Sequence, residues 1–268
     1  MAAMKPLVCA LAAAALASVA PAAADEYASD WARASKAEAR LVAGAAAQAA
    51  VEVRLAPGAV TYWRNPGDSG APPRFDFAGS RNLARAEPRF PAPKRIAEPD
   101  GSEAFGYDDA VVFPIAVAAV DASQPIELKL KFDYAVCEKL CLPAKAELSL
   151  TLPQAGASPY AAAIAAAAAA VPRVSDLGAL GGALEAAGAD GWRLCVQAEP
   201  GPPRDLFIEA PEGWWFATKP DADSGGRACF ALELQQKPDG AALPVSARAT
   251  LTGGSGAREF PLVVAAKP

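Results

Sequence analysis

"IELKLKFDYAVCEKLCLPAKAELSLTL", residues 126–152, decides how the chain is read. In "IELKLKFDY" (126–134), Leu128, Leu130, Phe132 and Tyr134 alternate with Glu127, Lys129, Lys131 and Asp133. "AKAELSLTL" (144–152) repeats the pattern with Ala146, Leu148, Leu150 and Leu152. Successive strand residues point to opposite faces, so a period of two with one apolar face indicates a half-buried strand. Two such strands flank Cys137 and Cys141, placing the pair in the turn between them, at a sheet end within reach of another protein. If residues 137–141 form one helical turn, their Cα atoms stand about 6 Å apart, within the range a disulfide spans.

Outward from this hairpin the same period recurs. "VEVRL" (51–55) sets Val51, Val53 and Leu55 against Glu52 and Arg54, and "AVVFPIAV" (110–117) is a continuous apolar run whose Pro114 predicts an edge or a bulge. Proline-rich loops occupy residues 65–99. A second series follows: "WRLCVQA" (192–198), "DLFIEA" (205–210), "ACFALEL" (228–234), "ARATLT" (247–252) and "EFPLVVA" (259–265). Between the two series lies "SPYAAAIAAAAAAVP" (158–172), nearly pure alanine, the best helix former, ending at Pro172 and lacking an amphipathic face. The expectation is an all-β chain of two β-sandwich domains, 40–153 and 174–268, joined by an Ala-rich helical linker over 154–173 and preceded by an N-terminal segment, 25–39.

The beginning of the chain fixes the compartment. "MAAMKPLVCALAAAALASVAPAAADEY" has one Lys at position 5, an apolar run from Leu7 to Val19 and Ala22-Ala23-Ala24 before Asp25. These are the parts of a cleaved secretory signal, residues 1–24, whose apolar run is too short to span a bilayer. Cys9 leaves with it. Four cysteines remain, an even number in an oxidising compartment where disulfides persist. No later segment reaches the roughly 20 apolar residues of a membrane helix, so the mature chain is expected to be soluble, without membrane insertion. The net charge of −5 and the lack of any basic run longer than two residues argue against a nucleic-acid partner.

The chain contains no histidine, which excludes Ser-His-Asp and Cys-His hydrolytic machinery. Cys195 and Cys229 fall in two later strands, off the face with the larger apolar neighbours, and read as a structural disulfide or two free thiols. Cys137 and Cys141 differ. A bridge across three residues closes so small a loop that its entropic effect is slight, which makes it a weak staple but an easily opened pair. Two thiolates at this spacing also suit Cu(I); in thioredoxin-like copper chaperones with the same spacing a histidine completes the site, and zinc would require two further ligands. Redox exchange, copper binding and a purely structural bridge all stand at this point. The first requires no cofactor beyond the Cys137–Cys141 disulfide itself.

"TYWRNPGDSGAPPRFDF" (61–77), "FGYDDAVVFPIAV" (105–117) and "FDYAVCEKLCLPAKAELSL" (132–150) occur in an order and spacing that resemble the N-terminal periplasmic domain of the DsbD family of thiol:disulfide interchange proteins, including its ScsB branch. The resemblance covers residues 40–153. It implies an immunoglobulin-like sandwich, with the second sandwich expected to be of the same kind. It also implies a periplasmic oxidoreductase component that takes electrons from a membrane-embedded reductase through a thioredoxin-like carrier and passes them to oxidised clients. Thioredoxin-fold periplasmic proteins and a separate membrane-embedded thiol reductase are the implied partners. The active cysteines map onto Cys137 and Cys141, with Cys141 forming the mixed disulfides. Phe105 and Tyr107 stand where an aromatic cap loop shields the pair in the family; the plainer reading of both is strand-end packing. The segment between the cysteines is shorter here than in familiar members, and "YWRNPGDSGAPP" reads as a turn-forming loop with no chemical role for Trp63, Arg64 or Asp68. Lys139 would favour a thiolate at the pair and Glu138 oppose it. The alternative is a copper(I)-binding or purely structural, interacting sandwich protein.

Overall fold

Alternation in the sequence becomes strands almost throughout. The computed structural model describes residues 25–44, 48–67, 70–98, 101–188 and 191–266, without the side chains of residues 223 and 224. The leader expected over residues 1–24, and Asp68, lie outside the described residues. In chain order the first half contains β1 (Ala32–Ala34), β2 (Ala37–Ala43), β3 (Gln48–Leu55), β4 (Val60–Gly67), β5 (Arg74–Asp76), β6 (Leu83–Pro88), β7 (Lys94–Ala97), β8 (Glu103–Asp108), β9 (Ala110–Ala119), β10 (Ile126–Cys137) and β11 (Cys141–Leu152). One helix, α1 (Ala161–Ala169), precedes β12 (Arg173–Val174), β13 (Ala183–Ala187), β14 (Gly191–Gln197), β15 (Leu206–Glu209), β16 (Trp215–Ser224), β17 (Arg227–Gln236), β18 (Val245–Leu251) and β19 (Arg258–Val264).

Four sheets result, with strand orders β1-β2-β3-β9-β6, β11-β10-β4-β8-β7 (β5 adding to β10), β12-β19-β18-β15 and β13-β14-β17-β16. The first pair encloses a core around Val51, Val53, Trp63, Phe113, Leu128 and Phe132. The second pair encloses another around Trp192, Leu194, Phe216, Phe230, Leu232 and Phe260. Each is a sandwich-like packing in which the apolar face of one sheet meets that of its partner. Residues 25–39, read from the sequence as a separate segment, instead supply β1 and the start of β2, and Tyr27 enters the first core.

The opening hairpin is longer than its alternation suggested. Leu128 faces Leu150, Leu130 faces Leu148, Phe132 faces Ala146 and Tyr134 faces Ala144, and the ladder continues through Val136–Leu142 to Cys137–Cys141. The cysteines are therefore the last cross-strand pair, not a helical turn, with Glu138, Lys139 and Leu140 closing the loop. Pro114 lies in β9, between β3 and β6, rather than on an edge strand. The Arg89 N–H donates to the Pro114 carbonyl at 2.7 Å, so the ring nitrogen faces the same side, just beyond the last β6 pair, Pro88–Ile115, where no ladder bond is lost.

The helix is docked. Ile164, buried, packs with Ala28, Val42 and Ala50 on the outer face of the first sheet, and the Ala92 N–H donates to the Ala170 carbonyl. The two halves also share an interface. Phe207 of β15 is completely buried and belongs to the first core, with ring centroids 4.8 Å from Phe105 and 6.0 Å from Trp63. Trp215 also stacks on Phe105, with ring centroids 5.8 Å apart. Around these rings Arg64 pairs with Glu209 at 2.6 Å and also with Glu259, Arg95 pairs with Asp205 at 2.9 Å, and the Asn65 amide donates to the Ile208 carbonyl at 2.9 Å.

Candidate redox site

Strand parity settles which way the sulfurs point. Val136 and Leu142 continue the core-facing series, so Cys137 and Cys141 stand on the opposite face of the hairpin, in phase with Asp133 and Lys145. There β4 meets the tip of β10, through Val136–Thr61 and Cys137–Val60, and the Thr61 hydroxyl donates to the Ala135 carbonyl at 2.8 Å. Alternation along β4 sends Thr61 and Trp63 toward the core and Val60 and Tyr62 toward the cysteines.

Cys137 and Cys141 are joined in a disulfide with a Cα separation of 4.1 Å. The Tyr62 hydroxyl donates to Cys137 Sγ at 2.6 Å and lies 3.3 Å from Cys141 Sγ. Tyr62, Ala104 and Cys137 form a small buried cluster with Val60, Ile96 and Ala135 against it. The Tyr62 ring fits because residue 70 is glycine: at φ +94°, a Cβ there would come within 2.2 Å of Tyr62 Cε1. Burial pushes the Tyr62 phenol up to about 12, with the nearby Glu98 carboxylate adding to the rise. Tyr62 is therefore a protonated hydrogen-bond donor across the physiological range.

The two sulfurs are unequally covered. Cys137 is 2% exposed, whereas Cys141 is an exposed residue, and its neighbour Leu140 is 71% exposed. Lys36, in the β1–β2 turn, pairs with Glu138 at 3.1 Å and offsets the acidic charge beside Cys137. Phe105 and Tyr107 lie on the other face of β8: Tyr107 pairs with Thr61, donates to the Pro91 carbonyl at 2.8 Å and packs on Phe113. Phe105 meets Phe207 and Trp215. The ring against the disulfide is thus that of Tyr62, and Phe105 and Tyr107 pack inside.

Tyr62 was missed because both faces of "VTYW" are covered, by the cysteine cluster on one side and the core on the other, which leaves no alternation to read. Cys195 and Cys229 face each other across β14 and β17 in a second disulfide, also with a Cα separation of 4.1 Å. Both are buried, on the face opposite Leu194 and Phe230. Among the described residues no cluster of three or more His, Cys, Asp or Glu side chains is arranged to hold a metal ion, and no helix is long and apolar enough to cross a membrane.

Comparison with known proteins places this geometry. The sequence profile of the family described as "Thiol:disulfide interchange protein DsbD, N-terminal" matches residues 29–153. The solved structure of the N-terminal periplasmic domain of ScsB from Proteus mirabilis superposes with a TM-score of 0.72 at 21% identity, covering 91% of this chain and 100% of that one. Another solved structure, described as BspA_C_mut, aligns at 7% identity with a TM-score of 0.16, too low to indicate a shared fold. No curated protein sequence matches the chain. Residues 29–153, with the cysteine hairpin at their end, match the family of DsbD N-terminal domains, and the two halves together share the fold of the ScsB periplasmic domain.

Proposed function

We propose that the chain is a periplasmic thiol:disulfide interchange module that relays electron pairs through Cys137 and Cys141, from a membrane-embedded thiol reductase or a thioredoxin-like donor to oxidised client proteins. The observation that carries this reading is the asymmetry of the pair: an exposed Cys141 joined to a buried Cys137 whose sulfur accepts a hydrogen bond from Tyr62. A donor thiolate attacks Cys141 Sγ, the bond to Cys137 breaks, and Cys137 leaves with the electron pair. The Tyr62 hydroxyl, already 2.6 Å away, stabilises the departing thiolate. Cys137 then takes a proton from solvent. The donor's second thiol loses its proton and attacks the donor sulfur of the mixed disulfide, releasing Cys141 as a thiolate that is protonated in turn. The donor has lost two electrons and two protons, and this chain has gained both. Toward a client the steps reverse: Cys141 attacks the client disulfide and Cys137 resolves the complex. No histidine base takes part, which fits a chain that has none.

The roles are tested by trapping. In periplasmic extracts, Cys137→Ser should accumulate a reductant-sensitive complex with a thioredoxin-fold protein, because the resolving sulfur is gone, while Cys141→Ser accumulates little. Trapping by Cys141→Ser alone would reverse the two roles. Absence of any complex with either variant, together with a bridge that a thioredoxin-like donor cannot reduce, would make the pair structural.

A further inference from the structure

Tyr62 is tied to the disulfide at one end of β4, and the other end of that strand is held by the second half of the molecule. The β4–β8 ladder runs through Val60–Asp108, Thr61–Tyr107 and Tyr62–Gly106, then skips to Gly67–Ala104. Residues 63–66 are outside that regular pairing. Their grip comes from across the interface: Trp63 lies against Phe207, Arg64 is clamped by Glu209 and Glu259, and the Asn65 amide holds the Ile208 carbonyl. The Arg64 guanidinium also stacks over the Trp63 ring at 4.4 Å, so ring and clamp form one unit. These partners are largely buried, with side-chain exposures of 22% for Arg64, 19% for Glu209 and 17% for Glu259. Arg64 is two residues from Tyr62, about 7 Å along a strand. A change in where β4 is held is therefore felt at the Tyr62 hydroxyl.

We propose that the second half, residues 173–264, works as a brace for the redox pair, with Arg64 as the positioning residue that fixes β4 and thereby the hydrogen bond from Tyr62 to Cys137. This deepens the interchange reading, since it concerns the same pair cycling between disulfide and dithiol. A thiolate accepts a hydrogen bond from Tyr62 more strongly than a disulfide sulfur does, so a well-placed hydroxyl favours the reduced pair. Two electrons and two protons convert the disulfide to the dithiol, and the brace changes only how far that equilibrium lies toward reduction.

The test is the equilibrium of the Cys137–Cys141 couple in dithiothreitol redox buffers, read by alkylation and peptide mass spectrometry on the full chain. Tyr62→Phe should shift it toward the disulfide about tenfold, or about 30 mV for a two-electron couple. Arg64→Gln and the double variant Glu209→Gln/Glu259→Gln should each shift it severalfold in that same direction, because both release β4. Through-space electrostatics alone requires the opposite: loss of a positive charge and loss of two negative charges would move the couple in opposing directions. In a Tyr62→Phe background neither clamp variant should shift it further. Opposite shifts, no shift, or shifts that persist without the Tyr62 hydroxyl would overturn the brace. Asn65→Ala, which deletes a neutral contact at the same strand end, carries the test should the charge variants not fold. The readout is separate from partner reduction: a chain that traps no partner and whose bridge no thioredoxin-like donor reduces would sink the interchange reading and still yield this equilibrium.

Discussion

Cys137–Cys141 and Cys195–Cys229 join the same kind of position. Each bridges directly opposed residues on antiparallel neighbours, with a Cα separation of 4.1 Å in both. Their surroundings differ. The first closes a loop of sequence separation 4 at a sheet end, with Cys141 exposed and the Tyr62 hydroxyl on its partner; the second closes a separation of 34 in mid-sheet, with both cysteines buried. Cross-strand pairing alone does not distinguish the two bridges. Access, an adjacent donor and the length of chain enclosed do.

The comparison breaks first, and by the largest margin, in kinetics. Under limiting dithiothreitol, Cys137–Cys141 should open on the order of 100-fold faster than Cys195–Cys229, the equivalent of about 2.7 kcal/mol of local opening needed to reach the buried pair. Timed alkylation with peptide mass spectrometry resolves the two rates, and equal rates would erase the distinction. Stability should show the reverse order. By chain entropy, the longer enclosed loop makes Cys195–Cys229 more stabilising by (3/2)RT ln(34/4), about 2 kcal/mol. Urea melts of the two Cys→Ala double variants measure this, and a larger loss from removing Cys137 and Cys141 would contradict it.

The smallest effect sharpens the part that Tyr62 plays. Its folded pKa of about 12 stands above the ordinary tyrosine value near 10, so the contribution is fully present below pH 10 and is lost as pH rises toward 12, because the unfolded chain ionises first. Tyr107 and Tyr134 shift in the same direction, also by burial. Between about pH 8 and about pH 11, Tyr62→Phe should therefore lose less stability than the unaltered chain. Equal losses in paired urea melts would mean that Tyr62 is not held protonated by the fold.

Much of this was legible where one face of a strand is wet. The hairpin β10–β11, the pairing of strands around Val51 and Val53, and the cysteine pair all show in the alternation of residues 51–55 and 126–152. Legibility fails where both faces are covered or the period is broken. β4 has Tyr62 and Trp63 buried side by side, so it reads as loop. β16 carries Pro220 on the edge of its sheet, a position where the missing N–H costs nothing but the strand signal is spoiled. The 137–141 turn fits a helical turn as well as a three-residue hairpin loop, and only the continued ladder through Val136 and Leu142 decides between them. Contacts between halves, such as Arg64 with Glu209, join residues whose sequence positions bear no local relation.

Phe207 separates two meanings of a module. The family match ends at residue 153, yet the core inside that match includes a ring from residue 207, which fills the space between Trp63 and Phe105. What is inherited as a recognisable sequence unit is thus not the whole of what packs as a physical unit. The first half excised alone would be a socket without its plug, with two large aromatic rings turned to water. Grafting the first half into another protein therefore means transplanting Phe207 with it, or redesigning the surface that Phe207 now covers.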